Sequence, residues 1–151
     1  MPKVLMNAAA ERAVLSGMSS YGSESFLEIE DIIDGDCFVL EDNQIIFKCM
    51  SKALAEQESI DIASILAAAN GLGLGDFVSN KKSMDHLRAI INFPIKKENV
   101  KQHAIIIRKL QIGREIQDRA KNIYTDISEI SGDESVDEII SLAEKSIFEL
   151  S

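Results

Sequence analysis

Hydrophobic residues in the last third of the chain recur at helical spacing in two successive segments. In the first segment, six isoleucines are separated by 7, 4, 7, 4 and 3 residues, which keeps them on one side of a helix. They are Ile105, Ile112, Ile116, Ile123, Ile127 and Ile130. The second segment carries Val136, Ile139, Ile140, Ala143, Ile147 and Leu150. The pattern predicts two amphipathic helices.

A short break separates these two helices. Gly132, within Ser131-Gly132-Asp133, suits the left-handed conformation that closes a helix. Ser135 is followed three residues later by Glu138, which is the pattern of a capping box at a helix start. A connection this short makes neighbouring helices antiparallel, so the sequence predicts a helical hairpin.

The two apolar stripes offer more surface than one neighbouring helix covers. Complete burial of an isoleucine stabilises a protein by about 1.5–3 kcal/mol, so this surface favours a partner. Either residues 1–97 cover it within the chain, or another protein molecule does. We expect at least part of it to be an intermolecular contact. The predicted partner interface comprises Ile105, Ile112, Ile116, Ile123, Val136, Ile140, Ala143 and Ile147.

The front part of the chain also shows helical patterns, interrupted by turn residues. Asn7 and Asp42 are predicted N-caps, and the fourth helix is predicted to begin at Ser59 or Asp61. The apolar run from Cys37 to Leu40 has no second run to pair with, so we expect it to link helices and enter the core. Residues 17–25 are predicted to form a loop. The predicted helices span about residues 8–18, 25–33, 43–56, 59–70 and 79–93.

Pro94 ends the last of these helices, because proline disfavours helix at the residue before it and cannot continue the hydrogen-bond ladder. Residues 94–98 are therefore predicted to be an exposed hinge. No long stretch alternates with a period of two residues, so the fold class is all-α. We predict a globular helical bundle over residues 1–95 and a hairpin for dimerisation or partner docking over residues 96–151.

The charge of the chain is strongly negative and unevenly distributed. The formal net charge of −9 argues against nucleic acid as a direct ligand, because a phosphate backbone is bound through accumulated lysine and arginine. Positive residues cluster in the middle of the chain, whereas the tail from Asp126 onward is acidic. This asymmetry either orients partners or is an ordinary solvated surface. The clustered residues are Lys81, Lys82, Lys96, Lys97, Lys101, Arg108, Lys109 and Arg114.

Cysteine usage and hydropathy predict a cytoplasmic location. Cys37 and Cys49 lack the spacing of a metal or redox motif, so we expect free, buried thiols in a reducing compartment. The N-terminus lacks the apolar core and cleavage site of a signal peptide. No apolar run approaches the length that crosses a membrane.

The residues that commonly carry chemistry form no catalytic pattern. Gly71, Gly73 and Gly75 lack the following Gly-Lys-Ser/Thr of a phosphate loop, so they predict a helix end and a loop. His86 and His103 lie on different predicted helices without a nucleophile or ligand set nearby. The residues alone therefore predict a helical, acidic module that binds itself or another protein, with no catalytic, cofactor or metal site.

Several local motifs, in order over residues 7–150, resemble the N-terminal domain of the DnaB-type replicative DNA helicases of bacteria and their phages. The opening segment, residues 7–17, resembles that family's Asn-x-Glu-Ala-Glu-x-x-Val-Leu-Gly start, with Ala9 in place of the first Glu. His103 stands where the family has Tyr, and the family's Gly-Gly has no counterpart, so the sequence indicates a divergent member. Further similar segments are residues 36–38, 43–47, 59–62, 99–100, 104–108, Arg114 and 143–150.

The resemblance implies a specific architecture and role. Domains of this family consist of a small helical bundle and a helical hairpin. Their hairpins pair between subunits, giving dimers or a trimer of dimers in a hexameric ring that docks primase and helicase loader. The ATPase motor, with its ATP and Mg²⁺, is a separate domain whose Walker motifs do not occur here. The resemblance thus implies that this chain alone has no ATPase or helicase activity and no cofactor.

Two other classes of function stay open at this point. One is a helicase-binding adaptor, such as the helicase-interaction domain of a primase, which has a similar helical fold in that family. The other is an enzyme acting through His86, His103 or a carboxylate pair. Binding to primase rather than to helicase distinguishes the collar domain from the adaptor.

Overall fold

The computed structural model describes residues 4–56 and 59–150, which form helices and no strand. The prediction of an all-α fold, with a small bundle followed by an antiparallel hairpin, is confirmed. The chain divides into two compact units, residues 1–110 and 111–151. The elements are α1 (Ala8–Tyr21), α2 (Ser23–Ile29), a 3₁₀ turn (Gly35–Cys37), α3 (Glu41–Ala55), α4 (Ile62–Gly71), α5 (Gly75–Ser79), α6 (Lys81–Ile91), α7 (Lys97–Ser128) and α8 (Val136–Phe148).

Helix α7 contributes to both compact units. Its first part, to Leu110, belongs to the first unit, where Val100, Ala104 and Ile107 are buried in the core. The division into functional domains at residues 95/96 stays a prediction.

The core of the first unit is aliphatic and is built around α1, which contacts α2, α3 and α6. Ala10, Val14 and Met18 of α1 are fully buried, at the spacing of four that marks one side of a helix. Leu87 and Ile90 of α6 are fully buried as well. The predicted N-cap of α1 is confirmed, because the Asn7 side chain accepts a hydrogen bond from the Ala10 amide at 2.9 Å.

Gly17 allows close packing between α1 and α7. A Cβ atom at this position would lie 2.4 Å from Cγ2 and 2.9 Å from Cγ1 of Val100, well inside van der Waals contact. The glycine therefore lies in the interior of a helix because a side chain has no room there.

The predicted loop over residues 17–25 is wrong. Helix α1 continues to Tyr21, and α2 begins at Ser23. Between them lies Gly22, which has φ 60° and interrupts the helix. The serines that suggested a loop are compatible with a helix whose position is fixed by packing. Ser25, for example, is fully buried, and Ser16, just before this stretch, is buried and its hydroxyl donates to the Phe93 carbonyl oxygen.

Two helix starts in the bundle also differ from the prediction. Asp42 does not cap α3, which begins at Glu41; its carboxylate instead accepts a hydrogen bond from the Ser83 hydroxyl at 3.2 Å. The helix predicted over residues 79–93 is α6, which begins at Lys81 with Asn80 as its cap, and the short helix α5 before it was not predicted. Of the two candidates for the α4 cap, Asp61 holds the position, in a capping box with Ser64.

The segment predicted to enter the core, from Cys37 to Leu40, does so in part, because Cys37 and Phe38 are buried whereas Leu40 is 38% exposed. Phe38 is buried and its ring centroid lies 5.1 Å from that of Phe47. Glu11, which is 1% exposed, holds this segment, because its carboxylate accepts hydrogen bonds from the Val39 amide at 3.0 Å and from Asn43 Nδ2 at 2.9 Å. A buried carboxylate needs such partners, so Glu11 fixes the path of the chain into α3.

The predicted hinge at residues 94–98 is anchored at both ends. The Tyr21 hydroxyl donates to the Ile95 carbonyl oxygen at 2.6 Å, next to the bond from Ser16 to Phe93. Lys97, the first residue of α7, forms an ion pair with Glu24 of α2. The connection between α6 and α7 is thus held to the bundle by side chains of α1 and α2.

The second unit is the antiparallel pair formed by the end of α7 and by α8. Arg119 pairs with Glu149 at 3.0 Å, while Asp126 lies with Leu142 and Ile130 with Glu138 in common grooves nearer the turn. Residue numbers therefore increase along α7 in the direction in which they decrease along α8, so the two helices are antiparallel. Gly132 has φ 97°, and Ser135 and Glu138 form the predicted capping box.

Candidate protein-docking surface

The eight residues of the predicted partner interface fall into separate environments. Ile105 is half-buried and belongs to the first unit; Ile123 and Ala143 are half-buried in the second. Ile112 and Ile116 are 38% and 46% exposed. Helix α8 ends at Phe148, and the next residue, Glu149, pairs with Arg119 of α7. Ile112 and Ile116 lie farther along α7 than α8 reaches, so α8 does not cover them.

Helix α8 contributes most of the exposed apolar surface. Val136, Ile140 and Ile147 are 71%, 49% and 52% exposed, and no residue of α8 is buried. Together with Ala143 they are separated by 4, 3 and 4 residues, the spacing by which one helix packs along another. A helix whose residues are at most half-buried in its own unit, and which carries such a stripe, has the pattern of an interface helix.

Two exposed aromatic side chains lie on the hairpin helices, and neither belongs to the predicted interface. Tyr124 is 77% exposed and Phe148 is 75% exposed. Tyr124 follows Ile123 and Phe148 follows Ile147, so each points about 100° away from the stripe on which the prediction rested. The signal in the sequence was an aromatic residue in an otherwise polar register, since aromatic residues are enriched at protein interfaces.

The hairpin has two unlike sides. Toward one side, helical geometry directs the α8 stripe and, from α7, Tyr124 and Ala120. Toward the other side, α7 and α8 line a groove with polar walls, whose lining includes none of these residues. We call the first side the apolar face; it consists of Ala120, Tyr124, Val136, Ile140, Ala143 and Ile147.

The second unit is acidic, and the charge is concentrated near its turn. Residues 111–151 contain ten carboxylates and four basic side chains, for a formal charge of −6. At the turn, the Glu134 carboxylate accepts hydrogen bonds from the amides of Ser131 and Gly132, at 3.0 Å each for the shorter contacts. These backbone hydrogen bonds lower the pKa of Glu134, so its negative charge is fixed at the turn.

His86 has a structural role in the bundle. Its Nε2 lies 2.6 Å from Asn43 Oδ1, and Asn43 in turn donates to Glu11, so the histidine donates through Nε2–H. Burial lowers the pKa of His86; Asp42 opposes this shift and Arg12 adds to it. The arrangement connects α1, α3 and α6 through Glu11, Asn43 and His86.

The remaining candidate groups are possible metal ligands, the two cysteines, the glycine-rich loop and the helices that could span a membrane. Within residues 4–56 and 59–150 there is no group of three or more His, Cys, Asp or Glu placed to hold a metal ion. Cys37 and Cys49 are buried thiols, as predicted, and burial raises the pKa of the Cys49 thiol. Gly73, with φ 73°, lies in the loop after α4. In the described part of the chain, no helix is both long enough and apolar enough for a membrane span.

Comparisons with known proteins give a family for the sequence and a likeness for the fold. The sequence model of the family described as "DnaB-like helicase N terminal domain" matches residues 4–109 of this chain. Among solved structures, the fold is similar to the crystal structure of the N-terminal domain of DnaB helicase from Mycobacterium tuberculosis, with a TM-score of 0.79 and 16% sequence identity. That likeness covers 97% of this chain and 99% of the other. No curated protein matches the chain.

Proposed function

The chain belongs to the family of DnaB-like helicase N-terminal domains, and from this premise we propose that it is an oligomerisation and protein-docking domain in DNA replication. In this proposal it forms a homodimer, or a ring of dimers, and docks primase and helicase loader. It acts without a cofactor, since ATP and Mg²⁺ belong to the motor domain of the resembled helicases. Its proposed location is the cytoplasm of a bacterium or of a phage-infected host.

The apolar face is the observation that supports self-association most directly. Ile140 and Ile147 are each about half exposed, so covering them adds about 1 kcal/mol apiece, from a full-burial value of about 1.5–3 kcal/mol. Tyr124 and Val136 are more exposed, so covering them buries a larger fraction of each side chain. The small side chains of Ala120 and Ala143 lie among them and allow helices to approach closely.

A second copy is the occupant that we propose for the apolar face. The face carries no charged residue, and the nearest charges on the exposed edges of its two helices are Lys121 on α7 and Asp137 and Glu144 on α8. A two-fold arrangement that lays α7 of one copy along α8 of the other brings these opposite charges together. Symmetric pairing of this kind uses the same surface on both partners.

Substitution of Ile140 by Asp tests this proposal. A charge buried without a partner in the apolar contact is strongly unfavourable, so Ile140→Asp shifts the protein to a smaller species in analytical ultracentrifugation. Ile116→Asp is expected to do the same if the contact extends along α7. Ser141→Asp is the matched control, because it introduces the same charge one residue later, on the polar side of the hairpin.

Two outcomes would contradict the assignment. If Ile140→Asp keeps both the wild-type mass and the wild-type helical content, the apolar face is not the contact. If the wild-type protein is a monomer at the highest accessible concentrations, self-association itself is wrong. Pull-down against purified primase and purified helicase separates the proposal from the alternative of a helicase-binding adaptor, which binds the helicase ring instead of forming one.

A further inference from the structure

The polar side of the hairpin holds a groove that self-association through the apolar face leaves uncovered. Near the turn its lining combines two half-buried aliphatic residues, Ile130 and Leu142, with the carboxylates of Asp126, Glu129 and Glu138. A second groove continues from Asp126 and Leu142 toward Arg119 and Glu149. The two grooves share residues, so they form one trough between α7 and α8, which we call the polar groove.

The charge of the polar groove is of one sign near the turn. Near the turn the lining includes four carboxylates and no basic residue, whereas both basic residues of the lining, Arg119 and Lys145, lie farther along, where Arg119 is paired with Glu149. Asp126 and Glu129 are exposed, and in the described part of the chain neither has an ion-pair partner. Glu138 is held at the same end by its hydrogen bond with the Ser135 amide. A groove with negative side chains along its edges and aliphatic side chains at its base favours a ligand that carries a positive charge next to an apolar side chain.

The groove of a second copy does not supply this complement, because it has the same negative sign. Like charges facing each other across a contact are unfavourable. The complementary surface is an amphipathic helix that carries aliphatic residues on one side and lysine or arginine along its edges. Helices of that kind bind in grooves between two other helices through anchors at i, i+3, i+4 and i+7.

We propose that the polar groove docks a basic amphipathic helix of another protein. One aliphatic side chain of that helix lies on Ile130 and Leu142, and its basic side chains lie beside Asp126 and Glu129. This inference rests on the proposed docking role, and it specifies the side of the hairpin that performs it and the chemistry of the partner. It does not depend on pairing through the apolar face.

A labelled synthetic amphipathic helix of leucine and lysine, compared with a leucine and glutamate helix of the same pattern, tests the proposal by fluorescence anisotropy. The double substitution Asp126→Lys/Glu129→Lys is expected to weaken binding of the lysine peptide at least about tenfold. The matched control is Glu28→Lys/Asp31→Lys, which makes the same change in net charge at exposed positions of the first unit, away from both the groove and the apolar face. This control is expected to change the affinity less than about threefold, because it alters only the long-range electrostatic attraction, which salt screens.

The outcomes distinguish this inference from the proposed self-association. Equal losses in the two double variants mean non-specific attraction to an acidic protein and overturn the inference, as does failure of the wild-type protein to bind the lysine peptide. Ile140→Asp tests the other surface. If it lowers the mass but keeps peptide affinity, both proposals hold; if it leaves the mass unchanged while Asp126→Lys/Glu129→Lys abolishes peptide binding, only the groove assignment stands.

Discussion

Replacement of Gly17 by alanine adds a single methyl group at the closest approach between α1 and α7. On an exposed helix, glycine to alanine stabilises by about 0.5–1 kcal/mol, because the unfolded chain loses freedom. At Gly17 the new Cβ would lie 2.4 Å from Val100 Cγ2. Val100 is fully buried and cannot turn away without displacing its neighbours in the core.

The expected sign is therefore destabilisation. Overpacking in a well-packed core costs about 1–3 kcal/mol, which exceeds the gain in helix propensity. We expect Gly17→Ala to lower the free energy of unfolding by about 1–2 kcal/mol. For a chain of this size that corresponds to a melting temperature lower by about 2–8 °C. A Val100→Ala substitution removes the two methyl groups that the new Cβ meets.

Urea unfolding followed by circular dichroism measures the effect. In a double-mutant cycle, Gly17→Ala is expected to cost less in the Val100→Ala background, with a coupling energy of about 1 kcal/mol or more. Gly35→Ala is the matched control, since no atom lies within 4 Å of a Cβ there, and its effect should stay within about 0.5 kcal/mol. If Gly17→Ala is as stable as the wild type, the close contact with Val100 is wrong.

Three further predictions concern buried groups. Glu11→Ala leaves the Val39 amide and Asn43 Nδ2 without their acceptor, so it should cost about 2–4 kcal/mol in urea unfolding, against about 0.5 kcal/mol or less for the exposed Glu28→Ala; equal effects would contradict the role of Glu11. Burial lowers the folded-state pKa of His86, so the unfolded chain takes up its proton first. Stability should therefore fall as the pH drops through about 6.5, and a His86→Gln variant with the same pH profile as wild type would refute this. Cys37 and Cys49 are buried, and burial raises the Cys49 pKa. Neither thiol should react with a thiol reagent until urea unfolds the protein; modification of the native protein at the rate of free cysteine would disprove it.

The hairpin could be predicted from the sequence because its signals are local. Helical spacing, the left-handed Gly132 and the capping box of Ser135 and Glu138 act within a few residues of one another. The same holds for Asn7 and Asp61 as caps. Where the determinant of structure lies within one turn of a helix, its pattern is visible in the chain.

The errors have causes that lie far away in the chain. Gly17 was interpreted as a loop residue, yet its requirement comes from Val100, which the sequence places 83 residues later. Asp42 was interpreted as a cap, whereas its carboxylate accepts a hydrogen bond from the Ser83 hydroxyl. The docking surface was predicted from its stripe, but Tyr124 was missed, because it lies about 100° from that stripe and only the packing of α8 against α7 brings it beside the α8 stripe.

The lack of any buried residue in α8 has a consequence for how this helix behaves in the free protein. A helix of 13 residues is marginal in water without tertiary support, however well its N-terminus is capped. We therefore expect its backbone amides to open at lower free energy than those of the bundle helices that carry fully buried residues, and to exchange faster with solvent deuterium. A partner that covers α8 would stabilise this helix, so its ordering and binding are thermodynamically linked.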